Sequence, residues 1–243
     1  MNMKKLLAIF VGLSLCSGLF AQNIRERYNR ELGSSPFYFH PLSYVTFGFS
    51  GMLKGDASMT GHTSFFKNPQ FGFNMLEFGV KAGRFVRFSL GADINWTWYH
   101  LDKAYMFVPT DATSVAVVDK NLALVKEVKT SILTTPTFEF PLNIYFRSRR
   151  VSLQLGAALE VRTNAFCEFK GVDNLGHTIN DMREGTFYSK SVKTNAIGYN
   201  LHVALCFRSM GVFAKFRPGN ILADGHGPQF STWTLGLIMG LGL

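Results

Sequence analysis

Glu77, Lys81, Arg87, Asp93, Glu139, Glu160, Arg162, His202, Arg208, Lys215 and Arg217 share one habit of placement: each ionisable side chain stands in a run whose alternate positions are apolar. Successive side chains of a β-strand point to opposite faces, so residues that alternate with apolar ones share a face of their own. Acids and bases gathered on the inside of a closed sheet can pair and fill the interior, since an unpaired charge is expensive to bury. They can instead line a narrow path for ions or small solutes. A barrel of about eight strands is only wide enough for its own side chains, which favours the filled interior and leaves a narrow channel as the alternative.

Two histidine–acid pairs stand apart from this set, His100 with Asp102 and His226 with Asp224. A lipid hydrolase or acyl transferase would need such a pair near a lipid-accessible rim, with a Ser or Thr nucleophile. His202 is expected at mid-height in the lumen, beyond the reach of a lipid head group. A loop histidine is ordinarily a solvated one, so no residue is assigned a catalytic role, and an outer-leaflet lipid enzyme is the third reading. Gly225-His226-Gly227-Pro228 has no following Lys-Ser or Lys-Thr and reads as a turn rather than a phosphate loop. Cys167 and Cys206 fall near opposite rims, beyond the Cα separation of about 7 Å that a disulfide tolerates. Two thiols, no metal site and no cofactor are therefore expected.

The elements that must position these residues are strands. Between Phe85 and His100, Val86, Phe88, Leu90, Ala92, Ile94, Trp96 and Trp98 alternate with Arg87, Ser89, Gly91, Asp93, Asn95 and Thr97. This run is longer than the roughly 5–6 residues of an ordinary strand and matches the roughly 9–11 needed to cross a bilayer at a tilt. Similar alternation recurs over 42–53, 76–82, 137–146, 151–162, 197–208, 211–217 and 232–243. The connections alternate in length: Gly83-Arg84, Ser148-Arg149 and Ser209-Met210 are tight, whereas 54–70, 101–129, 168–193 and 218–230 are long.

An all-β, closed antiparallel transmembrane barrel of eight strands in an up-and-down meander satisfies both patterns, because such barrels have short periplasmic turns and longer external loops. It places both termini in the periplasm of a Gram-negative cell. Trp96, Trp98, Phe166 and Trp233 toward the outer ends, with Phe146 and Phe207 toward the inner ends, would form the aromatic girdles. A soluble barrel of lipocalin type has the same strand count with the faces reversed. Within the second long loop, 114–118 and 122–128 flank Asp119-Lys120-Asn121 and suggest a hairpin extending strands three and four above the membrane, or a ten-strand count.

Lys4 and Lys5, an apolar run over 6–15 and a cut after Ala21 read as a signal peptide, 1–21. Residues 22–41 form a periplasmic N-terminal segment, with 23–33 a short helix or a flexible tail, and the barrel occupies 42–243. Losing Lys4 and Lys5 takes the formal charge from +9 to +7. An exported chain without a basic cluster argues against nucleic acid, which leaves outer-membrane lipid as the partner. The apolar C-terminal strand suits recognition by barrel-insertion machinery.

The leader ending Leu19-Phe20-Ala21-Gln22, the stretch Phe138-Glu139-Phe140-Pro141-Leu142, the strand Leu155-Gly156-Ala157 and the closing Leu235-Gly236-Leu237 resemble the small outer-membrane β-barrel proteins grouped as PorT-like or outer-membrane-protein β-barrel domains. The resemblance covers nearly the whole mature chain. It implies an outer-membrane barrel acting as a structural or interaction protein, in some members accessory to a protein-secretion apparatus or to other cell-envelope proteins, and it brings no catalytic residues.

Overall fold

A computed structural model describes residues 36–56, 59, 62–123, 125–148, 150–180 and 191–240. The expected leader, the helix over 23–33 and residues 241–243 lie outside the described residues. The strands are β1 (Phe37–Pro41), β2 (Tyr44–Gly55), β3 (Pro69–Ala82), β4 (Val86–His100), β5 (Tyr105–Pro109), β6 (Val115–Asp119), β7 (Val125–Arg147), β8 (Val151–Arg162), β9 (Ala165–Asp173), β10 (Thr178–Asn180), β11 (Ser191–Val192), β12 (Ile197–Phe207), β13 (Met210–Arg217) and β14 (Phe230–Gly240).

Eight of them close a ring. β2, β3, β4, β7, β8, β12, β13 and β14 each pair antiparallel with the next, and β14 returns to β2 from Phe230↔Gly55 to Gly240↔Tyr44. The fold is a closed eight-stranded antiparallel all-β barrel in an up-and-down meander, so the ten-strand count does not apply. Tight turns join β3–β4, β7–β8 and β12–β13 at one end, where Gly83 and Arg208 adopt left-handed φ values of 82° and 56°. The long connections gather at the other end.

The faces point as the alternation requires for a lipid surround. Phe88, Leu90, Leu155 and Leu237 are 44%, 54%, 42% and 55% exposed, whereas Ser89, Asp93, Asn95 and Thr97 on the other face of β4 are buried. A soluble carrier would show the reverse.

Three segments depart from the sequence reading. Pairing begins at Phe37, inside the segment expected to be free of the barrel: β1 runs in the same direction as β2 and pairs with the lower half of β3, from Phe37↔Val80 to Pro41↔Leu76. The second crossing starts at Pro69 rather than Leu76. Gln70, Gly72 and Asn74 point inward, the register slips between Asn74 and Leu76, and Glu77 takes the inward position below. That β-bulge swaps the parity and breaks the period-two signal in the middle of the strand.

The expected hairpin around Asp119-Lys120-Asn121 is also replaced. β6 pairs with β5 as a separate two-stranded sheet, while β7 begins at Val125 and runs 23 residues without a break. The partner of its upper part is β9, which continues the line of β8, and β10 and β11 pair with β9 in turn. The extension above the barrel thus belongs to crossings four and five, and crossing three stops at His100.

At the closing seam Gly236 faces Gly48. A Cβ on Gly48 would lie 2.6 Å from the Leu235 carbonyl oxygen, and one on Gly236 would strike the Phe47 carbonyl oxygen and the Gly48 Cα. Both obstacles are backbone, so the strands must part to admit a side chain. Gly236→Val is expected to destabilise the barrel by about 1–3 kcal/mol or more, read as loss of the compact, SDS-resistant species on unheated gels. Gly219→Ala, which meets nothing within 4 Å, should leave that species unchanged.

Candidate functional site

The polar face of the strands converges on Arg217 of β13. Its Nε donates to Glu160 Oε1 (2.6 Å), Nη2 to Glu139 Oε1 (2.8 Å) and Nη1 to Gln70 Oε1 (3.2 Å). Lys215, two residues earlier on the same face, donates to both oxygens of Glu139 at 3.0 and 2.7 Å. The second oxygen of Glu160 takes Arg162 Nε at 3.1 Å and Nη2 at 2.5 Å, and Asn200 Nδ2 donates to the first at 2.8 Å. Asp93 accepts from the Tyr44 hydroxyl and Asn74 Nδ2, each at 2.6 Å. His202 sits between Asn143 (2.7 Å) and Asn200 (3.1 Å).

Three carboxylates, Asp93, Glu139 and Glu160, therefore share the centre of the lumen with three cations, Arg162, Lys215 and Arg217, all buried. Burying ions costs several kcal/mol each, and that cost is recovered only where the pairs and their remaining hydrogen bonds are well made. A cavity of about 30 Å³ lies between Asp93, Glu139, His202 and Lys215, a space on the scale of ordered water.

Apolar residues close the lumen on both sides of this layer. Toward the tight turns, Tyr44, Ala204, Cys206, Phe213 and Ile238 form a small inner plug. Toward the loops, Tyr99, Leu133 and Phe230 pack under Phe107, Val115, Ile221 and Leu222, which the long connections fold over the mouth. Cys167 lies in this cap and Cys206 in the plug, both buried thiols without a disulfide.

Other residues singled out from the sequence fall elsewhere. Glu77 is buried near the tight-turn end, beside the Tyr145 and Tyr38 hydroxyls. Arg87 is half-buried, with its guanidinium 5.7 Å above the Tyr38 ring. Lys81 and Arg208 are exposed and do not belong to the lumen network. Lys81 keeps the expected face two residues from a tight turn but lies past the end of the lumen, and Arg208 stands in the β12–β13 turn itself, its guanidinium over the outward Phe207 ring. Gln70, Asn74 and Tyr38 were missed because their strand segments were missed. The alternation of Gln70, Gly72 and Asn74 with Phe71, Phe73 and Met75 was the signal that could have revealed the first two.

Of the expected girdle residues, Trp96 packs on Phe71 (6.2 Å) and Phe73 (5.8 Å), and Trp233 stacks on Phe65 at 4.7 Å. Trp98 and Phe166 flank Thr134 of β7 at one level. Phe146 and Phe207 are 44% and 57% exposed at the tight-turn end.

Neither histidine–acid pair is assembled. Asp102 pairs with Lys67 at 2.7 Å instead of His100, and the His100 ring Nδ1 is buried without a partner. His226 Nδ1 lies 3.1 Å from Thr113 Oγ1 and 3.0 Å from Ser114 Oγ rather than against Asp224. With the Val115 N–H donating to the His226 carbonyl at 3.0 Å, these contacts tie the last loop to the β5–β6 hairpin. The Thr113 N–H and the Ser114 hydroxyl hold the exposed Asp111 carboxyl below its usual range.

No family model matches the chain, and no curated protein is similar to it. Solved structures similar to it include Neisserial surface protein A (NspA), 14% identical, with 84% of this chain and 97% of that one covered and a TM-score of 0.34. Ail, the attachment invasion locus protein of Yersinia pestis, solved with the heparin analogue sucrose octasulfate, is 12% identical over 84% and 97%, with a TM-score of 0.32. LpxR from Salmonella typhimurium is 10% identical over 84% and 86%, with a TM-score of 0.27. At so low an overlap the fold rests on its own strand pairing.

The network has a measurable energetic signature. Glu160→Gln removes the charge that holds two buried guanidinium groups and is expected to cost about 3–5 kcal/mol. Lys67→Gln breaks an ion pair whose side chains are 55% and 42% exposed and should cost less than about 1 kcal/mol. Urea unfolding in lipid vesicles, followed by tryptophan fluorescence, gives both values.

Proposed function

We propose that the chain is a small β-barrel of a bacterial outer membrane that works as a structural or interaction protein, with its loop end as the contact surface. The observation that carries this reading is the combination of an exposed apolar outer wall with a lumen filled by ion pairs and closed above and below. Leu142 at 61% and Phe78 at 54% exposure belong to a wall too extensive for a water-facing monomer. A closed sheet is also the form in which strands leave no backbone group unpaired in hydrocarbon. The tight turns face the periplasm under the rule for such barrels. The described barrel is entered at Pro36 and left at Gly240, both at that end, so both termini are assigned to the periplasm.

With the lumen full, what remains for recognition is the sheet of β7, β9, β10 and β11 and the β5–β6 hairpin above it. A cell-envelope partner there, including a subunit of a secretion apparatus as the PorT-like resemblance implies, is part of the proposal, as is insertion guided by the last strand. The proposal assigns no catalytic residue.

In planar bilayers the purified barrel should give no steady ion current. A steady current that changes in Arg217→Gln or Glu139→Gln would overturn the filled-lumen reading in favour of a narrow channel. Whole-cell photocrosslinking from Leu122 and Leu175, exposed at 81% and 82% on the loops, should return a reproducible envelope protein. Return of lipid alone from both sites counts against an interaction role.

A further inference from the structure

The tight-turn rim differs from the loop end in the sign of its charge. Segments 78–92, 140–159 and 201–223, which contain all three tight turns, hold no Asp or Glu. Lys81, Arg84, Arg150 and Arg208 are exposed there, Arg87 is half-buried, and among the described residues none of the five is in an ion pair. At the loop end, exposed charges of both signs occur and pair, as in Lys67–Asp102 at 2.7 Å and Lys170–Glu168 at 3.3 Å.

The three turns are joined into one arc. The Arg147 N–H donates to the Phe85 carbonyl at 2.7 Å, linking the β3–β4 turn to the β7–β8 turn. The Arg208 N–H donates to the Arg150 carbonyl at 2.7 Å, linking that turn to the β12–β13 turn. Two guanidinium groups are held at the edge of the apolar wall: Arg84 lies 5.7 Å from the Phe85 ring centroid and Arg208 5.8 Å from that of Phe207. Phe207, 57% exposed, belongs to the outward wall, and Phe85, 58% exposed, stands in the β3–β4 turn beneath it. The arrangement sets planar cations at the depth where acyl chains give way to head groups. A guanidinium offers paired N–H donors that match phosphate oxygens.

We infer that Arg84, Arg150 and Arg208, with Lys81 and Arg87, form a binding arc for the head groups of anionic phospholipids in the leaflet that the tight turns enter. The inference rests on the membrane reading above. Lipid is the occupant because the arc is continuous with the lipid-facing wall through Phe207 and Met210, each 57% exposed, leaving Arg84, Arg150 and Arg208 at the edge of that wall rather than on a surface that a soluble protein could cover alone.

The test uses the full chain refolded in neutral detergent and titrated with phosphatidylglycerol or phosphatidylcholine, with bound lipid counted by native mass spectrometry. Each basic residue near an anionic surface contributes about fivefold in affinity. Phosphatidylglycerol should therefore bind roughly tenfold or more tighter than phosphatidylcholine, with a preference that falls as salt rises. The triple variant Arg84→Gln/Arg150→Gln/Arg208→Gln should lose that preference while keeping its SDS-resistant compact form. The loop-end variant Lys103→Gln/Lys120→Gln/Lys129→Gln should keep it. Equal binding of the two lipids by the unsubstituted chain, or an unchanged preference in the triple variant, overturns the arc. So does tighter binding of a polyglutamate peptide than of phosphatidylglycerol, which would mark a protein-docking surface. Flotation with phosphatidylcholine vesicles after a carbonate wash separates the two readings, since failure to float sinks the membrane assignment itself, whereas flotation without lipid preference sinks the arc alone.

Discussion

Arg217 is where the walls of the barrel meet. From β13 its guanidinium reaches Glu160 on β8, Glu139 on β7 and Gln70 on β3, and Gln70 in turn accepts from Thr234 on β14 and donates to Asn95 on β4. Asn200 adds β12 through Glu160. A side chain that donates to acceptors on opposite walls fixes the barrel's width as well as its charge balance. In a narrow interior of low effective dielectric, each of these groups is costly without its partners. The network is therefore a mutual constraint in which the loss of one member leaves others stranded.

The apolar layers above and below make that constraint possible. Tyr44, Phe213 and Ile238 on one side and Tyr99, Leu133 and Phe230 on the other keep bulk water from the ion pairs. Long connections supply much of the upper layer, so they cannot be treated as loose excursions. His226, Thr113 and Ser114, read as isolated loop residues, turn out to be a fastening between two of them.

Period-two alternation disclosed the fold wherever a strand kept one parity. β4 and β8 came out with the bounds the pattern gives, since Val151, Leu153, Leu155, Ala157, Leu159 and Val161 of β8 share one face and the small Ala158 is the one apolar residue turned to the other. β3 was halved because the slip at Asn74/Leu76 inverts inside and outside, and no local rule distinguishes such a slip from the start of a strand. The upper part of β7 extends strand four as the arm over 122–128 suggests, but its partner and the stretch joining it to the strand below were missed, for another reason. Its outward and inward positions there are both β-branched or polar, and the Asp119-Lys120-Asn121 turn signal competes with a pairing to β5 that only tertiary packing decides.

For the interior the limit was depth. Alternation tells which way Lys81 points but not that the lumen ends before it, and it does not reach Arg208, which stands in the turn, whereas Glu139, Glu160, Arg162, Lys215 and Arg217 lie within the closed part of the barrel. Their partners from distant strands, such as Gln70, depend on closure and register that no short window of sequence contains.

β7 continues seven residues beyond Ile132, the level at which its neighbour β4 stops, and stays paired with β9 as it does so. At about 3.4 Å per residue that is a paired mast of roughly 24 Å at most. Anything seated on its tip is held at a set standoff from the ring of the barrel, with its orientation locked to that of the strands beneath.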